Sequence, residues 1–292
     1  MKIGYYPEGP LTLASSRLRV YYPAQALMDK GHTVIIDPDR DQLALLDVLI
    51  VQKNAWRRWV PEMNHAFALG KKVIWDVDDC VDPPEGMYTH ITIDTPRKLH
   101  RYSTAKIVYD CLDVPPGAAV KQDHALMLQR LVGFCGFDNV YHFRAVAHAA
   151  DHLGLQLTLI TDLSRATFDF SVMVGAEHWT LDSIDAQLIR YDLSVCPYVL
   201  DGPHDLDWVT SKSANKPLKA WGLGLPVAGS PIPSYVEAGL EYQAFTVRDW
   251  ITVLEELADV RQRLEDAKRG WAVAQAYTAE RMAVRWLEVF EA

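Results

Sequence analysis

The chain has 292 residues, which is long enough for two domains of ordinary size. Hydrophobic residues make up 49% of it and charged residues 23%, the composition of a globular protein rather than a disordered or fibrous one. No apolar run approaches the roughly 20 residues that span a bilayer, and the first residues lack the apolar core of a signal peptide. We therefore expect a cytoplasmic protein without a membrane span.

The net charge is −9, and it is unevenly distributed. Residues 114–292 hold 15 Lys and Arg against 23 Asp and Glu, whereas residues 1–113 are nearly balanced. This distribution excludes a wholly basic nucleic-acid-binding domain and makes the first 113 residues the better place for an anionic macromolecule. The four cysteines lie far apart without a CxxC pair, which predicts reduced thiols rather than a disulfide framework or a zinc site.

Short β-rich runs alternate with helical sequence over the first part of the chain. A helix is predicted at 17–30, entered through Ser15 or Ser16, and helical sequence recurs around 61–69. Predicted strands lie at residues 2–6, 31–37, 47–53, 71–76, 90–94 and 106–110. The alternation predicts a doubly wound α/β domain with a parallel sheet.

A stretch rich in proline and glycine at 112–123 has the composition of a linker, and a second α/β set follows it. Its strands are predicted at residues 131–136, 156–161, 170–174 and 192–198. Its helices are predicted at residues 139–153, near 181–190, and in three stretches within 248–291. We divide the chain into residues 1–113, a linker at 114–130, a second domain at 131–272 and a final helix at 273–292.

The segment 210–230 has the pattern of a polar loop, a short helix and a strand. Ser213 or Asn215 is expected to cap the helix. A helix start favours anions because its first N–H groups lack partners, and Lys212 and Lys216 flank this one. We therefore predict a diphosphate site here. The alternative is an ordinary capped helix with two solvated lysines.

The same segment resembles part of a known family. DLSVCPYV at 192–199, followed by KSANKPLKAWGLGLPVAGSPIPSYVEAG at 212–239, resembles the donor-binding half of GT-B glycosyltransferases, especially the family 4-like members. SSRLRVYYPAQALMDKGHTV at 15–34 and VLIVQK … ALGKKVIWDVDD within 48–79 are similar to the acceptor-side half of that family.

The resemblance implies an α/β fold of two Rossmann-like doubly wound domains facing across a cleft, with the final helix crossing back to the first. It implies transfer of a sugar from a nucleotide-diphosphate donor on the second domain to an acceptor hydroxyl on the first. Such enzymes generally need no metal and no cofactor besides the sugar nucleotide, because helix dipoles and basic side chains neutralise the diphosphate. The donor-binding residues that we assign are Arg17, Gly136, Lys212, Ser213, Asn215 and Lys216.

Four carboxylates within seven residues follow the fourth predicted strand, and like charges this close need exposure, cations or polar partners. We favour Asp76, Asp78 or Asp79 as groups that bind acceptor hydroxyls or act as the base. One alternative is a metal-binding DxD motif. The other is a solvated acidic loop, ending at Asp82, that contains one helix cap.

Ser16, Arg17 and Arg19 follow the loop after the first strand. An arginine at this edge of a sheet can reach donor phosphate or an anionic acceptor. Helical spacing points one of the two arginines elsewhere, so we favour Arg17 for the donor and place Ser16 and Arg19 on the acceptor side. The alternative is a surface pair at a helix start.

Lys53-Asn-Ala-Trp-Arg-Arg-Trp59 interleaves three cations with two tryptophans after the third strand. We predict that Trp56, Arg57 and Arg58 bind the acceptor. That acceptor is either a hydroxymethylated base in DNA or a glycan or lipid-linked sugar stacked on tryptophan. An amphipathic helix with snorkelling arginines is the alternative.

Many family 4 enzymes carry two glutamates eight residues apart, the second of which grips the donor ribose. Ser211 and Lys219 stand at those two positions here. The nucleotide, the sugar and the stereochemical outcome are therefore left open, as is the oligomeric state. The absence of both glutamates also supports a second hypothesis, in which the chain is a degenerate GT-B module that binds a nucleotide or glycan without turnover.

Overall fold

The computed structural model describes residues 1–78, 87–200 and 206–292. These residues form two compact units. Unit 1 contains residues 1–113, 211–213 and 277–292, and unit 2 contains residues 114–210 and 214–276.

Unit 1 is built on a six-stranded parallel sheet with the strand order β2-β1-β3-β4-β5-β6. All six strands were predicted, because each is a short apolar run bounded by turn residues. Their bounds are β1 (Lys2–Tyr6), β2 (Thr33–Ile36), β3 (Val48–Gln52), β4 (Lys72–Val77), β5 (His90–Ile93) and β6 (Lys106–Ile107).

Helices cover both faces of this sheet. They are α1 (Ala14–Ser16), α2 (Tyr22–Asp29), α3 (Arg40–Leu43), α4 (Trp56–Ala68) and α12 (Ala279–Glu291), with a π-helical turn at Arg17–Tyr21 between α1 and α2. Helices α2 and α12 pack on one face, where Trp286 meets Tyr5 edge-on at 6.3 Å between ring centres. Helix α4 packs on the other face through Met63 and Ala66.

Unit 2 is built on a second six-stranded parallel sheet with the order β12-β11-β10-β7-β8-β9. Its strands are β7 (Arg130–Phe134), β8 (Gln156–Thr161), β9 (Gly175–His178), β10 (Leu193–Cys196), β11 (Val227–Gly229) and β12 (Tyr242–Gln243). The expected α/β architecture of two doubly wound sheets is therefore confirmed.

The predicted strand at 170–174 is wrong, because the strand lies at Gly175–His178. Phe170, Val172 and Val174 alternate with the exposed Ser171 and Met173, yet they pack as a loop against the core of unit 2. β9 is an edge strand with largely exposed side chains, so its sequence carries no apolar alternation to reveal it.

The helices of unit 2 are α5 (Arg144–Leu153), α6 (Ile184–Leu188), α7 (Leu206–Thr210), α8 (Asn215–Gly222), α9 (Pro233–Glu237), α10 (Val247–Glu256) and α11 (Val260–Ala274). Helices α5 and α10 contribute Val146 and Trp250 to one core. Helices α8 and α11 touch so closely that a Cβ on Gly270 would lie 2.0 Å from the ring of Trp221. A glycine is therefore required there.

The predicted helix caps are wrong in both units. Neither Ser213 nor Asn215 caps α8, whose N-cap residue is Ala214 and makes no side-chain cap bond. The helix at the start of unit 1 begins at Ala14, before either predicted capping serine, and again lacks a side-chain cap. The hydroxyl of Ser213 instead donates to Asp110 at 2.6 Å, because a tertiary partner outcompetes the local one.

Candidate functional site

The order of strands in unit 2 reverses between β7 and β10. From β7 the chain proceeds to β8 on one side, and from β10 it proceeds to β11 on the other. In open parallel sheets, ligands bind beyond the carboxyl ends of the strands at such a switch point. Gly136 follows β7 at this edge, and Tyr198 follows β10.

Lys216 lies in the first turn of α8 and reaches Tyr198. Its Nζ donates a hydrogen bond to the hydroxyl of Tyr198 at 3.0 Å and lies 5.0 Å from the ring centre. Burial lowers the pKa of Lys216, but the neighbouring Tyr198 outweighs that effect and leaves the pKa raised. Lys216 is therefore a half-buried lysine with a fixed partner, which differs from the solvated lysine of the alternative.

Two further side chains fix the backbone around Tyr198, and neither was predicted from the sequence as a site residue. The hydroxyl of Ser230 accepts the backbone N–H of Tyr198 at 2.9 Å. Nδ1 of His142 accepts the N–H of Val199 at 3.1 Å, and its ring packs edge-on against Tyr198 at 4.8 Å. In the sequence, the proline after β10 is the only sign that Tyr198 lies at a strand end. His142 lies within the predicted helix 139–153, and nothing in that pattern indicates its contact with Val199.

The other predicted donor-binding residues belong to two different units. Asn215 is the first residue of α8 and half-buried, so it lies beside Lys216. Lys212 and Ser213 belong to the segment 211–213, which is part of unit 1. Gly136 precedes a 3-10 turn, with extended backbone dihedral angles.

The two positions at which the family carries glutamates are both buried here. Nζ of Lys219 pairs with Oδ1 of Asp185 at 2.6 Å within unit 2. Ser211 is 3% exposed, and its hydroxyl has no hydrogen-bond partner among the described residues. Neither position offers a carboxylate to a ribose, as the sequence indicated.

Unit 1 has its own switch point, between β1 and β3. Gln52 ends β3 there and connects several predicted residues. Its Oε1 accepts the hydroxyl of Ser16 at 2.9 Å and the backbone N–H of Glu8 at 3.0 Å. Its Nε2 donates to Oδ2 of Asp78 at 3.3 Å, so one amide gathers Ser16, Glu8 and Asp78 at the carboxyl edge of the sheet.

The predicted catalytic aspartates differ in their surroundings. Asp76 is fully buried, accepts two hydrogen bonds from Arg19 and takes a third from the hydroxyl of Thr92 at 2.7 Å. Asp78 is 8% exposed and pairs with Nζ of Lys53 at 3.1 Å. Asp79 lies outside the described residues. The solvated acidic loop is therefore not what Asp76 and Asp78 form.

Arg17 and Arg19 are both buried, so the alternative of a surface pair is wrong, and they bond different carboxylates. Arg17 forms a bidentate pair with Asp113, at 2.7 and 2.8 Å. Arg19 bonds Asp76 and lies 3.1 Å from Asp110. Burial lowers the pKa of Arg19, but the neighbouring Asp76 carboxylate raises it by more, so the pKa of Arg19 is raised overall. Their turn is π-helical and is packed inside the unit, which is why both guanidinium groups are buried.

The segment after β3 forms the kinked, amphipathic start of α4, with Trp59 out of helical geometry two residues before Pro61. Trp56 is half-buried and packs against the unit 1 core. Arg57 is exposed, with its guanidinium 5.5 Å from the Trp56 ring centre. Arg58 donates to the backbone carbonyl of Glu8 at 2.6 Å. Both arginines are exposed, but only the guanidinium of Arg58 is tied to the loop after β1 in this way.

Within residues 1–78, 87–200 and 206–292, no group of three or more His, Cys, Asp or Glu side chains is arranged to hold a metal ion. Asp79 and Asp82 lie outside those ranges, so metal independence stays a prediction. No helix in the described part of the chain is long and apolar enough to cross a membrane. Three cysteines of this part, Cys111, Cys135 and Cys196, are free thiols.

No protein-family model matches the chain, and no curated protein sequence matches it. Solved structures do match along the whole length. Anabaena HepE in complex with UDP is 10% identical, with 99% of each chain covered and a TM-score of 0.63. AviGT4, a glycosyltransferase involved in avilamycin A biosynthesis, is 13% identical, with 100% of this chain and 97% of that chain covered and a TM-score of 0.65.

The chain has the GT-B fold. An alpha-glucosyltransferase in complex with UDP and a 13-mer DNA containing an HMU base is 8% identical, with 99% of each chain covered and a TM-score of 0.64. The resemblance to GT-B glycosyltransferases that the sequence carries is therefore confirmed as a likeness of fold. At these identities the likeness establishes the architecture of the chain, and activity is a separate matter.

Proposed function

We propose that this chain is a glycosyltransferase that moves a sugar from a nucleotide-diphosphate donor to an acceptor hydroxyl, with the donor bound by unit 2. The observation that carries the proposal is the placement of Lys216. Its ammonium sits in the first turn of α8, held by Tyr198, at the edge where β7 and β10 end. Two independent features that favour an anion, the switch point and the helix start, coincide at one cation.

The chemistry follows from where charge develops. When the bond between the sugar and the diphosphate breaks, negative charge grows on the departing phosphate oxygen. Lys216 and the first N–H groups of α8 are fixed beforehand, so they stabilise this charge without reorganising. Tyr198 contributes by orienting the ammonium, and the rest of the rate enhancement comes from holding donor and acceptor in reacting positions.

We assign the acceptor to unit 1. Asp78, held by Gln52, offers carboxylate oxygens at the carboxyl edge of its sheet. The predicted acceptor residue Ser16 instead holds the neighbouring loop, because it is fully buried and its hydroxyl bonds Gln52 and Gly9. Asp76 is not part of this assignment, because Arg19 and Thr92 occupy its carboxylate. Two related structures, HepE and the alpha-glucosyltransferase, contain UDP, which supports a nucleotide donor.

The acceptor belongs to one of two classes. A hydroxymethylated base in DNA is supported by the DNA present in the alpha-glucosyltransferase structure, and by the exposed Arg57. A glycan or lipid-linked sugar is supported by the net charge of −9, which repels DNA at every encounter. The salt dependence of transfer distinguishes these classes.

The decisive experiment assays the purified chain with a panel of nucleotide sugars and measures both transfer and donor hydrolysis. The acceptors are duplex DNA carrying hydroxymethyl bases and a set of glycans. Turnover of at least one donor supports the proposal. Calorimetric binding of a nucleotide sugar without any turnover favours instead a module that binds and does not catalyse, which the ion-paired Lys219 and the buried Ser211 also motivate.

A further inference from the structure

A carboxylate that the sequence did not single out lies at the switch point of unit 1. Glu8 is the second residue after β1, in the loop Pro7-Glu8-Gly9-Pro10. This places it beyond the carboxyl ends of β1 and β3, between which the strand order reverses. Such a position favours ligand contacts in an open parallel sheet.

The backbone of this loop is held on both sides. The N–H of Glu8 donates to Oε1 of Gln52 at 3.0 Å, and its carbonyl accepts from Arg58 at 2.6 Å. The N–H of Gly9 donates to the hydroxyl of Ser16 at 3.0 Å. Both main-chain groups of Glu8 are used, so the position of its Cα is fixed by tertiary partners.

The side chain of Glu8, unlike its backbone, is not fully hydrogen-bonded. Its Oε2 is buried from solvent and has no hydrogen-bond partner among the described residues. A carboxylate oxygen that loses water without gaining a donor is costly, and folded proteins rarely keep one without a reason. The neighbouring carboxylates are better supplied: Asp76 accepts from Arg19 and Thr92, and Oδ2 of Asp78 accepts from Gln52. Among the described residues, Oδ1 of Asp78 also lacks a hydrogen bond but is paired with the ammonium of Lys53, whereas Oε2 of Glu8 has neither.

We propose that Glu8 binds the acceptor hydroxyl and takes its proton during transfer. This inference rests on the proposed glycosyltransferase function. Glu8 as a residue is only half-buried, so its carboxylate can turn toward the acceptor, whose O–H supplies the donor that Oε2 lacks in the structure. The bond between the acceptor oxygen and the anomeric carbon forms as the proton passes to the Glu8 carboxylate. The bond between that carbon and the diphosphate oxygen breaks, and its electron pair leaves with the nucleoside diphosphate.

A base that activates the acceptor for direct displacement has a stereochemical consequence. The acceptor oxygen attacks the anomeric carbon from the side opposite the diphosphate, so the configuration at that carbon inverts. The two glutamates that accompany retention in family 4 enzymes are absent here, which agrees with a displacement that uses Glu8. The anomeric configuration of the product is read directly by proton NMR of the first-formed glycoside.

The test compares Glu8→Gln with wild type, using whichever nucleotide sugar wild type turns over. Glu8→Gln keeps the shape of the side chain and removes the base, so kcat should fall by about 10²- to 10⁴-fold while the Kd of the donor stays within about twofold. Glu280→Gln, an exposed glutamate of unit 1, is the matched control and should retain wild-type kcat. Azide or formate should restore part of the activity of Glu8→Ala, because a small anion can replace the missing carboxylate.

Each outcome bears on a distinct claim. Near wild-type kcat in Glu8→Gln, or a retained anomeric configuration, overturns the role of Glu8 and leaves the proposed function intact. A wild-type chain that transfers no sugar to any acceptor overturns the proposed function and this inference together. The Tm of Glu8→Gln should be no lower than that of wild type, because no hydrogen bond to Oε2 is lost. A Tm lower by several degrees, with activity lost in proportion to unfolding, would show that Glu8 is structural instead.

Discussion

Nζ of Lys216 and the hydroxyl of Tyr198 lie 3.0 Å apart, which ties the first turn of α8 to the end of β10. The ammonium lies near the tyrosine ring as well, with its nitrogen 5.0 Å from the ring centre. The pair holds one positive charge at a defined place in the sheet edge. Preorganised charge of this kind is what a diphosphate leaving group requires.

Replacing Lys216 with alanine should weaken binding of the nucleotide sugar by roughly 1.5–3 kcal/mol, the contribution of one charge-assisted contact. Calorimetric titration with the donor measures this. Lys268→Ala is the matched control, because Lys268 is an exposed lysine on α11 of the same unit and should leave the affinity unchanged. Equal donor affinity in Lys216→Ala and wild type would remove the main support for the proposed function.

Salt dependence should separate the two acceptor classes. A DNA acceptor predicts a log–log slope of binding against salt of roughly −0.7 to −0.9 per phosphate contact. Arg57→Glu should make that slope shallower by about one contact, and it is a cleaner probe than Arg58→Glu because Arg58 also holds the carbonyl of Glu8.

A neutral glycan acceptor predicts a different result in the same experiment. Transfer should then respond little to salt or to Arg57→Glu, but it should be lost in Trp56→Ala. The half-buried Trp56 also packs against the core, so the stability of the variant must be measured beside its activity. A fold-intact Trp56→Ala with unchanged transfer to glycans would contradict stacking of the sugar on this ring.

Activity should not depend on a divalent metal. Excess EDTA is expected to leave turnover near its untreated level, because in the proposed function the ammonium of Lys216 neutralises the diphosphate in place of a metal ion. The readout is the rate of donor consumption before and after chelation. A collapse that Mn²⁺ or Mg²⁺ reverses would assign a metal to the acidic segment that includes Asp79.

Asp76→Asn should destabilise unit 1 by about 3–5 kcal/mol, because it leaves the buried guanidinium of Arg19 without its bidentate partner. Urea unfolding measures the change. Glu288→Gln, which breaks an exposed pair with Arg285, should cost no more than about 1 kcal/mol. If Asp76 instead serves the acceptor, Asp76→Asn would keep wild-type stability and lose kcat alone.

Asp94 should make the stability of unit 1 depend on mildly acidic pH. Burial raises the pKa of Asp94 to about 6 from its ordinary value of 3.8, despite the neighbouring Lys98. The folded chain therefore binds this proton more tightly than the unfolded chain does, and the associated stabilisation is lost as pH rises from about 4 to about 6. Wild type should therefore lose stability relative to Asp94→Asn as pH rises through that window in urea titrations, because asparagine has no proton to release. A constant difference would show that Asp94 does not titrate there.

The two parallel sheets could be predicted from the sequence for a physical reason. Strands buried on both faces are continuous apolar runs, such as Val48–Gln52 and Leu193–Cys196, and their pattern is local. The edge strand β9 was missed because exposed side chains carry no such pattern. Helix caps were misplaced because Ser213 has a competing partner, Asp110, that is distant in the chain.

By itself the sequence determined the two α/β sheets and the resemblance to GT-B proteins, and it marked Lys216 as a candidate for binding a diphosphate. Only the tertiary structure decided what the polar groups do, because the strand order sets which of them meet and which lose water. It turned Asp76, Arg17 and Arg19 into buried ion pairs. It brought Tyr198 to Lys216 and left one oxygen of Glu8 buried without a donor. A single glutamate in a Pro-Glu-Gly-Pro loop carries no sequence signal, since its chemistry depends on neighbours such as Gln52 that are distant along the chain.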